Sequence, residues 1–361
     1  MDITFILTGY NTRYLKRIIA AKNMGHNIHI QMFERDPSSP FKQDFLENAD
    51  TVTLLGKAND ESYLFKIKLL FFPLYYLLKY FKSREQVLYF FDVPLIPLAS
   101  FLSLFSKNII MEIGDLLHLN HGKLIESFTN RLFFYLSKRA RFFVFTSKGF
   151  LHYFDKNNIP ISKYEIIENK PTDYSYSSIK TTNGELTQTI GYVGEFRYPS
   201  AFLDLVNHLP DWHFELFGNS RHMNIWDKII DQNYNISYHE PFKKEDLDNI
   251  YSKMNYVYCY YVGFNEQYLT PNKLWEAILF ETPILVNKNS YLGTIVQELD
   301  IGLAVDNFNE DIEFLLENNF TRYLQSIKKL KNELGAKLFD ETSAILLEVL
   351  ASNNSSNHAN K

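Results

Sequence analysis

The stretch LTPNKLWEAILFETPILV, residues 269–286, decides how this chain folds. Thr270 suits an N-cap, and Pro271 suits the first helical position, where a missing N–H leaves no bond unmade. A helix over 271–281 then places Leu274, Ala277 and Ile278 on one side, and PILVN at 283–287 follows as an apolar strand. A helix running directly into a buried strand is the repeating unit of a parallel sheet. With about 100° per residue, Asn272, Lys273 and Glu276 share a polar face covering about a third of the circumference. A cation in the first turn opposes the helix dipole, at a cost of ~0.3–1 kcal/mol. A bound anion reverses that sign, and the free N–H groups of the first turn form an anion site. A diphosphate there accounts for Lys273, and Glu276, one turn on, can accept hydrogen bonds from the two hydroxyls of a ribose. The alternative is a solvated turn with a Lys273–Glu276 surface pair.

Working outward, 361 residues exceed what one core usually serves, so two domains are expected. Hydrophobic residues make up 46% and charged residues 22%, a composition of folded proteins. With 37 basic and 42 acidic residues the formal charge is -5, which does not suggest a general nucleic-acid binder. The single cysteine, Cys259, lies in the apolar run NYVYCYYV and reads as a buried small residue. No disulfide framework can form, which fits a reducing cytoplasm. MDITFILTGYNTRYLKR reads as a first strand and turn, not a signal peptide. The most apolar stretch, YLFKIKLLFFPLYYLLKYFKSR at 63–84, is interrupted by Lys66, Lys68, Lys79 and Lys82 and is too short to span a bilayer. It reads either as a domain helix or as a basic, aromatic face resting on a membrane surface.

The first half alternates strands and helices: strands at 2–8, 27–33, 51–55, 87–91, 108–113, 141–147 and 164–169, with helices at 12–23, 62–82, 93–106, 121–138 and 148–157. Residues 171–188, rich in Pro, Ser, Thr, Asn and Gly, read as a linker. Alternation restarts with strands at 189–196, 213–218, 235–242 and 256–262, helices at 199–208 and 243–253, and the opening helix and strand. A helix at 292–299, a strand at 302–306 and helical residues 309–351 follow. The expected fold is α/β: two Rossmann-like, doubly wound domains facing across a cleft. The first covers 1–170 and the second 189–335. A C-terminal helix at 336–351 packs back on the first domain, and 352–361 form a disordered polar tail.

Such sheets bind ligands at the carboxyl ends of their strands. GYVGEFRYP at 191–199 ends a strand at Gly194, with Arg197 just beyond, so the backbone can approach a phosphate that the arginine clamps. FGNSR at 217–221 ends another strand at Gly218, and YHEPF at 238–242 brings His239 to a third, where a flat base can rest. A solvated loop is the competing reading for each alone.

The set IGYVGEFR, HFELFGN, SYHEPFKKEDLDNIYSKMN and LTPNKLWEAILFETPILVNKNSYLGTIVQELDIGLAV resembles the donor-binding domain of retaining glycosyltransferases of GT-B architecture. The nearest likeness is to glycosyltransferase family four, in the branch that builds bacterial surface polysaccharides such as capsule and O-antigen. MEIGDLLH at 111–118, FVFTSKGFLHYF at 143–154 and IIENKP at 166–171 resemble that branch's first domain. The resemblance implies a nucleotide-sugar donor on the second domain and a lipid-linked saccharide acceptor on the first. It implies that Glu276 grips the donor ribose, that Asn272 and Lys273 meet the diphosphate, and that Arg197 is the family's phosphate cation. Asp115 or His118 then approaches the transferred sugar. Two departures are visible. The family's two glutamates are separated by seven residues, and counting back from Glu276 lands on Tyr268, with Glu266 the nearest acid. The lysine that often follows the arginine has no counterpart in YPSAFLD at 198–204, where Lys273 can substitute.

The implied reaction breaks an anomeric bond, developing negative charge on the leaving diphosphate, which Arg197, Lys273 and the helix N-terminus stabilise. Asp115 is the candidate catalytic group of the first domain. No cofactor or metal is expected. Asp246 and Asp248 diverge on a helix, His118 and His121 lack a third ligand nearby, and Ser147 lacks the flanking glycine of a nucleophile elbow. The expected protein is a cytoplasmic, peripheral enzyme at the inner face of the membrane. A nucleotide-sugar epimerase on the same fold and a non-catalytic member of a polysaccharide assembly complex are the alternatives.

Overall fold

The computed structural model describes residues 1–34, 37–57, 86–172 and 185–351. The expected helix at 62–82, the basic aromatic face at 63–84, most of the linker and the tail at 352–361 lie outside the described residues. The chain divides into two compact units, Met1–Glu168 with the residues from Glu341 onward, and Asn169–Asp340. Among the described residues no helix is long and apolar enough to cross a membrane.

The first unit is built on strands β1 (Asp2–Leu7), β2 (Asn27–Glu34), β3 (Thr51–Lys57), β4 (Val87–Phe91), β5 (Ile109–Ile113), β6 (Phe142–Phe145) and β7 (Tyr164–Ile166). They form one sheet in the order β3-β2-β1-β4-β5-β6-β7. Every pairing is parallel. Parallel strands covered by helices on both faces read as continuous apolar runs. VLYFF and IIMEI follow that rule, with one charge, Glu112, fully buried among them.

That buried carboxylate organises the unit. Arg17, also fully buried, reaches Glu112 Oε2 from Nε at 3.2 Å and donates to the Ile167 carbonyl at 3.0 Å and to Thr342 Oγ1. Tyr89 adds its hydroxyl to Glu112 at 2.6 Å. Arg13 donates to Asp92 Oδ1 at 2.6 Å and lies 3.3 Å from Glu112. The helix Thr342–Ala351 therefore belongs to the first unit, where it buries Leu346, Val349 and Leu350. Its last turn accepts a second arginine, as Arg141 Nη2 donates to the Leu350 carbonyl at 2.7 Å.

The second unit carries β8 (Thr189–Glu195), β9 (His213–Asn219), β10 (Ile236–His239), β11 (Tyr256–Cys259), β12 (Ile284–Asn287) and β13 (Gly302–Val305). Their order is β10-β9-β8-β11-β12-β13, again all parallel. Both sheets thus reverse direction of growth beside their first strand, at β1/β4 and β8/β11. That reversal is the switch point at which doubly wound sheets open a crevice. Trp212, Trp226, Tyr192, Tyr256 and Tyr258 fill the second core. Their polar atoms are used where the chain permits: Tyr256 donates to the Leu316 carbonyl at 2.6 Å and Trp212 Nε1 to Glu313 at 3.2 Å.

The structure corrects several expected elements. The helix expected at 93–106 is shortened to Ile96–Leu102 behind a 3-10 turn at Val93–Leu95, since Pro94 and Pro97 confine it. The helix expected at 243–253 is a turn at Lys244–Asp246 and a short helix at Leu247–Tyr251. Residues 309–351 are not one helical run. The helix Ile312–Leu334 stops at Gly335, whose φ of +49° takes the left-handed region. A helix at Met223–Gln232, where no element was expected, packs Trp226 and Ile229 on the second core.

Candidate functional site

The helix foreseen from the opening stretch spans Asn272–Leu279. Its cap differs from expectation. Pro271, not Thr270, holds the N-cap position, with φ −74° and ψ 158°, and its carbonyl accepts the Leu274 N–H at 3.1 Å. Thr270 is buried. A proline here supplies no side-chain oxygen, so no side chain caps the first turn. Asn272 and Lys273 become the first two helical residues. Leu274, Ala277 and Ile278 are buried, while Asn272 is exposed and Lys273 and Glu276 are half-buried.

Lys273 lies across the switch point. Its ammonium donates to the Tyr261 hydroxyl at 2.9 Å and stands 5.4 Å from the Tyr192 ring centroid and 5.6 Å from that of Tyr261. Burial holds the Tyr261 phenol well above its ordinary range, so at neutral pH the partner is an uncharged hydroxyl. Among the described residues no carboxylate pairs with Lys273. A half-buried cation without an opposite charge suits an incoming anion.

Gly194, next to last in β8, lies beside this ammonium, since a Cβ on it would sit 3.7 Å from Nζ. Gly194 pairs in register with Gly218 of β9. Gly218 has a φ of +139°, and a Cβ there would come within 2.0 Å of the Gly194 carbonyl oxygen. These two glycines let the strand ends close on each other.

Arg197 follows β8 and is held from three directions. Nη2 donates to Glu195 Oε2 at 2.6 Å, Nη1 donates to Glu266 Oε1 at 3.0 Å, and the backbone N–H donates to the Tyr192 hydroxyl at 2.6 Å. Burial alone would lower the guanidinium, but the carboxylates of Glu195 and Glu266 outweigh it and push it up. Glu195 also lies 3.4 Å from Nε of the exposed Arg221. Glu266 is buried, in the 3-10 turn Glu266–Tyr268. Its Oε2 and the Tyr198 hydroxyl flank Gly263 so closely that a Cβ there would stand 2.2 Å from each.

Glu276 Oε2 accepts from the buried Tyr251 hydroxyl at 2.9 Å, which fixes the carboxylate on the polar face. His239, at the end of β10, lies parallel to the Phe217 ring, with centroids 4.3 Å apart and planes at 7°, and meets Glu215 Oε2 at 2.5 Å. Asp115 is carried by the first unit, where Oδ1 accepts the Leu117 N–H at 3.4 Å. His118 on the same loop is buried, with Nε2 3.0 Å from the Tyr153 hydroxyl. Burial lowers it from 6.5 to about 4.

The second unit thus brings Lys273, Gly194 and Gly218 together and adds Arg197 at the end of β8. Sequence reasoning missed Tyr261, Tyr251 and the double acidic clasp on Arg197. The partners Arg197 and Glu266 are far apart in the chain, and no local pattern links them. Among the described residues no group of three or more His, Cys, Asp and Glu side chains could hold a metal ion.

No protein-family model matches the chain, and no curated protein sequence matches it. Its fold is similar to that of solved structures. The Anabaena protein HepE, solved in complex with UDP-glucose, superposes with a TM-score of 0.69 at 11% identity over 98% of this chain and 100% of that one. WaaG, a glycosyltransferase involved in lipopolysaccharide biosynthesis, gives 0.64 at 11% identity over 97% and 99%. Sucrose-phosphate synthase of Thermosynechococcus elongatus gives 0.72 at 13% identity over 99% and 100%. The shared property is the fold, the two-sheet α/β architecture called GT-B.

Proposed function

We propose that the protein is a glycosyltransferase that moves a sugar from a nucleoside diphosphate to a saccharide acceptor. The observation that carries this is Lys273, a cation in the first turn of Asn272–Leu279 that donates to a neutral phenol and is set beside Gly194 at the switch point. That arrangement favours a diphosphate. Solved proteins of the same fold hold UDP and UDP-glucose, which supports a donor of this class.

Each residue then has a task. The first-turn N–H groups, Asn272 and Lys273 receive the diphosphate. Arg197 exchanges part of its acidic clasp for a phosphate oxygen. Glu276, aligned by Tyr251, accepts from the ribose hydroxyls. Gly194 and Gly218 admit the donor close to the backbone, and the Phe217–His239 pair offers a flat surface to the base. Cleavage of the anomeric bond leaves negative charge on the diphosphate, which the two cations stabilise. Asp115 is the first-unit group nominated to approach the transferred sugar. Transfer proceeds with retention and without a metal. The acceptor is a lipid-linked saccharide of a bacterial surface polysaccharide, and the protein works in the cytoplasm, peripheral to the inner face of the membrane.

Glu276→Ala tests this reading. UDP and GDP are expected to raise the thermal midpoint of the native protein and not that of the variant, whose circular dichroism stays native and whose unliganded midpoint falls modestly because the buried Tyr251 hydroxyl loses its acceptor. Transfer of labelled sugar is expected to vanish with it. Full transfer by the variant removes the assignment. Donor conversion without any acceptor would identify an epimerase instead, and nucleotide binding without turnover a non-catalytic member of an assembly complex.

A further inference from the structure

Parallel strands covered by helices carry apolar side chains on both faces, yet one face of the β9/β10 pair is polar. His213, Glu215 and Phe217 share that face of β9, and Ser237 and His239 of β10 lie in register with Glu215 and Phe217. Phe217 belongs to the same buried cluster as Tyr251 and Leu274, so this is the face on which the helix Asn272–Leu279 packs. Glu215 stands between two imidazoles. Its Oε2 lies 2.5 Å from His239 Nε2 and its Oε1 3.2 Å from His213 Nε2, which in turn meets Ser237 Oγ at 3.1 Å. A carboxylate only accepts, so His239 Nε2 carries a proton and donates it to the bond. That bond fixes the rotation of a ring lying 4.3 Å from the Phe217 centroid with planes 7° apart. Phe217 covers one side of the imidazole, and the His239 side chain is still 38% exposed. Strand pairing does not require this arrangement, since β9 and β10 join through backbone bonds whichever way the imidazole turns.

We propose that Glu215 is a positioning residue for the nucleobase of the donor. It locks His239 parallel to Phe217, and the base stacks on the side of the imidazole that Phe217 leaves open. A ring held in plane before the ligand arrives spares the ordering cost at the moment of binding. Every base has a π-face, so such a platform recognises a nucleoside without choosing uracil over guanine. The inference rests on the proposed donor site, and its test keeps the two apart.

Titration calorimetry of the full chain with UDP, GDP and ribose 5-diphosphate tests it, because the last keeps the sugar and the diphosphate and lacks the base. The native protein is expected to bind the better of the two nucleotides about tenfold more tightly than ribose 5-diphosphate. Glu215→Ala is expected to weaken that nucleotide about fivefold or more and ribose 5-diphosphate less than about twofold, with native circular dichroism. Glu215→Gln, which keeps an acceptor for Nε2, is expected to fall between native and Glu215→Ala. If Glu215→Ala unfolds, the same contrast between ligands is read in Glu215→Gln. The His239 ring protons, assigned by their loss in His239→Gln, are expected to shift in NMR spectra with the nucleotide and not with ribose 5-diphosphate. Equal losses for both ligands in the Glu215 variants, or no loss for either, overturn the inference. So does a native protein that binds nucleotide and ribose 5-diphosphate alike, an outcome that leaves the diphosphate site standing. A native protein that binds neither removes the inference and the donor reading together.

Discussion

At the scale of single residues, Arg197 has two duties that a substitution separates. Its guanidinium is placed to stabilise a leaving diphosphate, and it also neutralises the buried Glu266. Arg197→Ala is expected to lower kcat by about 10²–10³, as loss of one donor does in oxyanion sites. It also leaves Glu266 without its cation, a loss of about 1–3 kcal/mol, because the partly exposed site lets solvent screen the charge. Arg197→Ala combined with Glu266→Gln should recover most of the stability in urea titrations and none of the turnover. His118 sets a pH dependence of the first unit. Its folded pKa of about 4 lies below the ordinary 6.5, so the unfolded chain takes up the proton first. Stability from this group is full above 6.5, falls as the pH drops toward 4 and is flat below. The span is about 3 kcal/mol. His118→Gln should flatten that slope when urea midpoints are compared between neutral and acid buffers, against the background of the other titrating groups.

At the scale of elements, the carboxyl ends of β8 and β9 depend on Gly218. Its φ of +139° and the 2.0 Å approach of a Cβ to the Gly194 oxygen leave no flexible atom to yield. Gly218→Ala is therefore expected to destabilise the second unit by about 1–3 kcal/mol. It should also weaken the UDP-induced thermal shift, because the neighbouring strand end moves. Much of this level was legible in the sequence. VLYFF became β4 residue for residue, and the polar and apolar faces of the helix beginning at Asn272 fell where the spacing put them. Runs of buried apolar residues carry their own signal. The helix Met223–Gln232 did carry a signal, since Met223, Trp226, Ile229 and Ile230 recur at helical spacing, but no element was expected there. Glu266 was noticed as the nearest acid, but counting positions assumes a regular path. The 3-10 turn at Glu266–Tyr268 breaks that path and delivers the carboxylate to Arg197 instead.

At the scale of the whole molecule, each unit has its own parallel sheet, and the first is completed by the last described segment. The helix Thr342–Ala351 covers part of that core with Leu346, Val349 and Leu350 and caps Arg17 through Thr342. Each fully buried aliphatic side chain of this kind contributes about 1.5–3 kcal/mol. A chain ending at Glu341 is therefore expected to lose the cooperative unfolding transition of the first unit. The second unit should keep its own, as resolved by calorimetry and by hydrogen exchange of each sheet. The interleaved order also governs how the protein is made. A ribosome emits β1 to β7 first, yet the side of their core that Leu346 seals stays open until Thr342–Ala351 emerges. The Asn169–Asp340 segment has by then been released and can already be structured. Maturation of the amino-terminal half thus waits on synthesis of Thr342–Ala351, and any stall or nonsense codon ahead of that helix strands it half-dressed and available to chaperones.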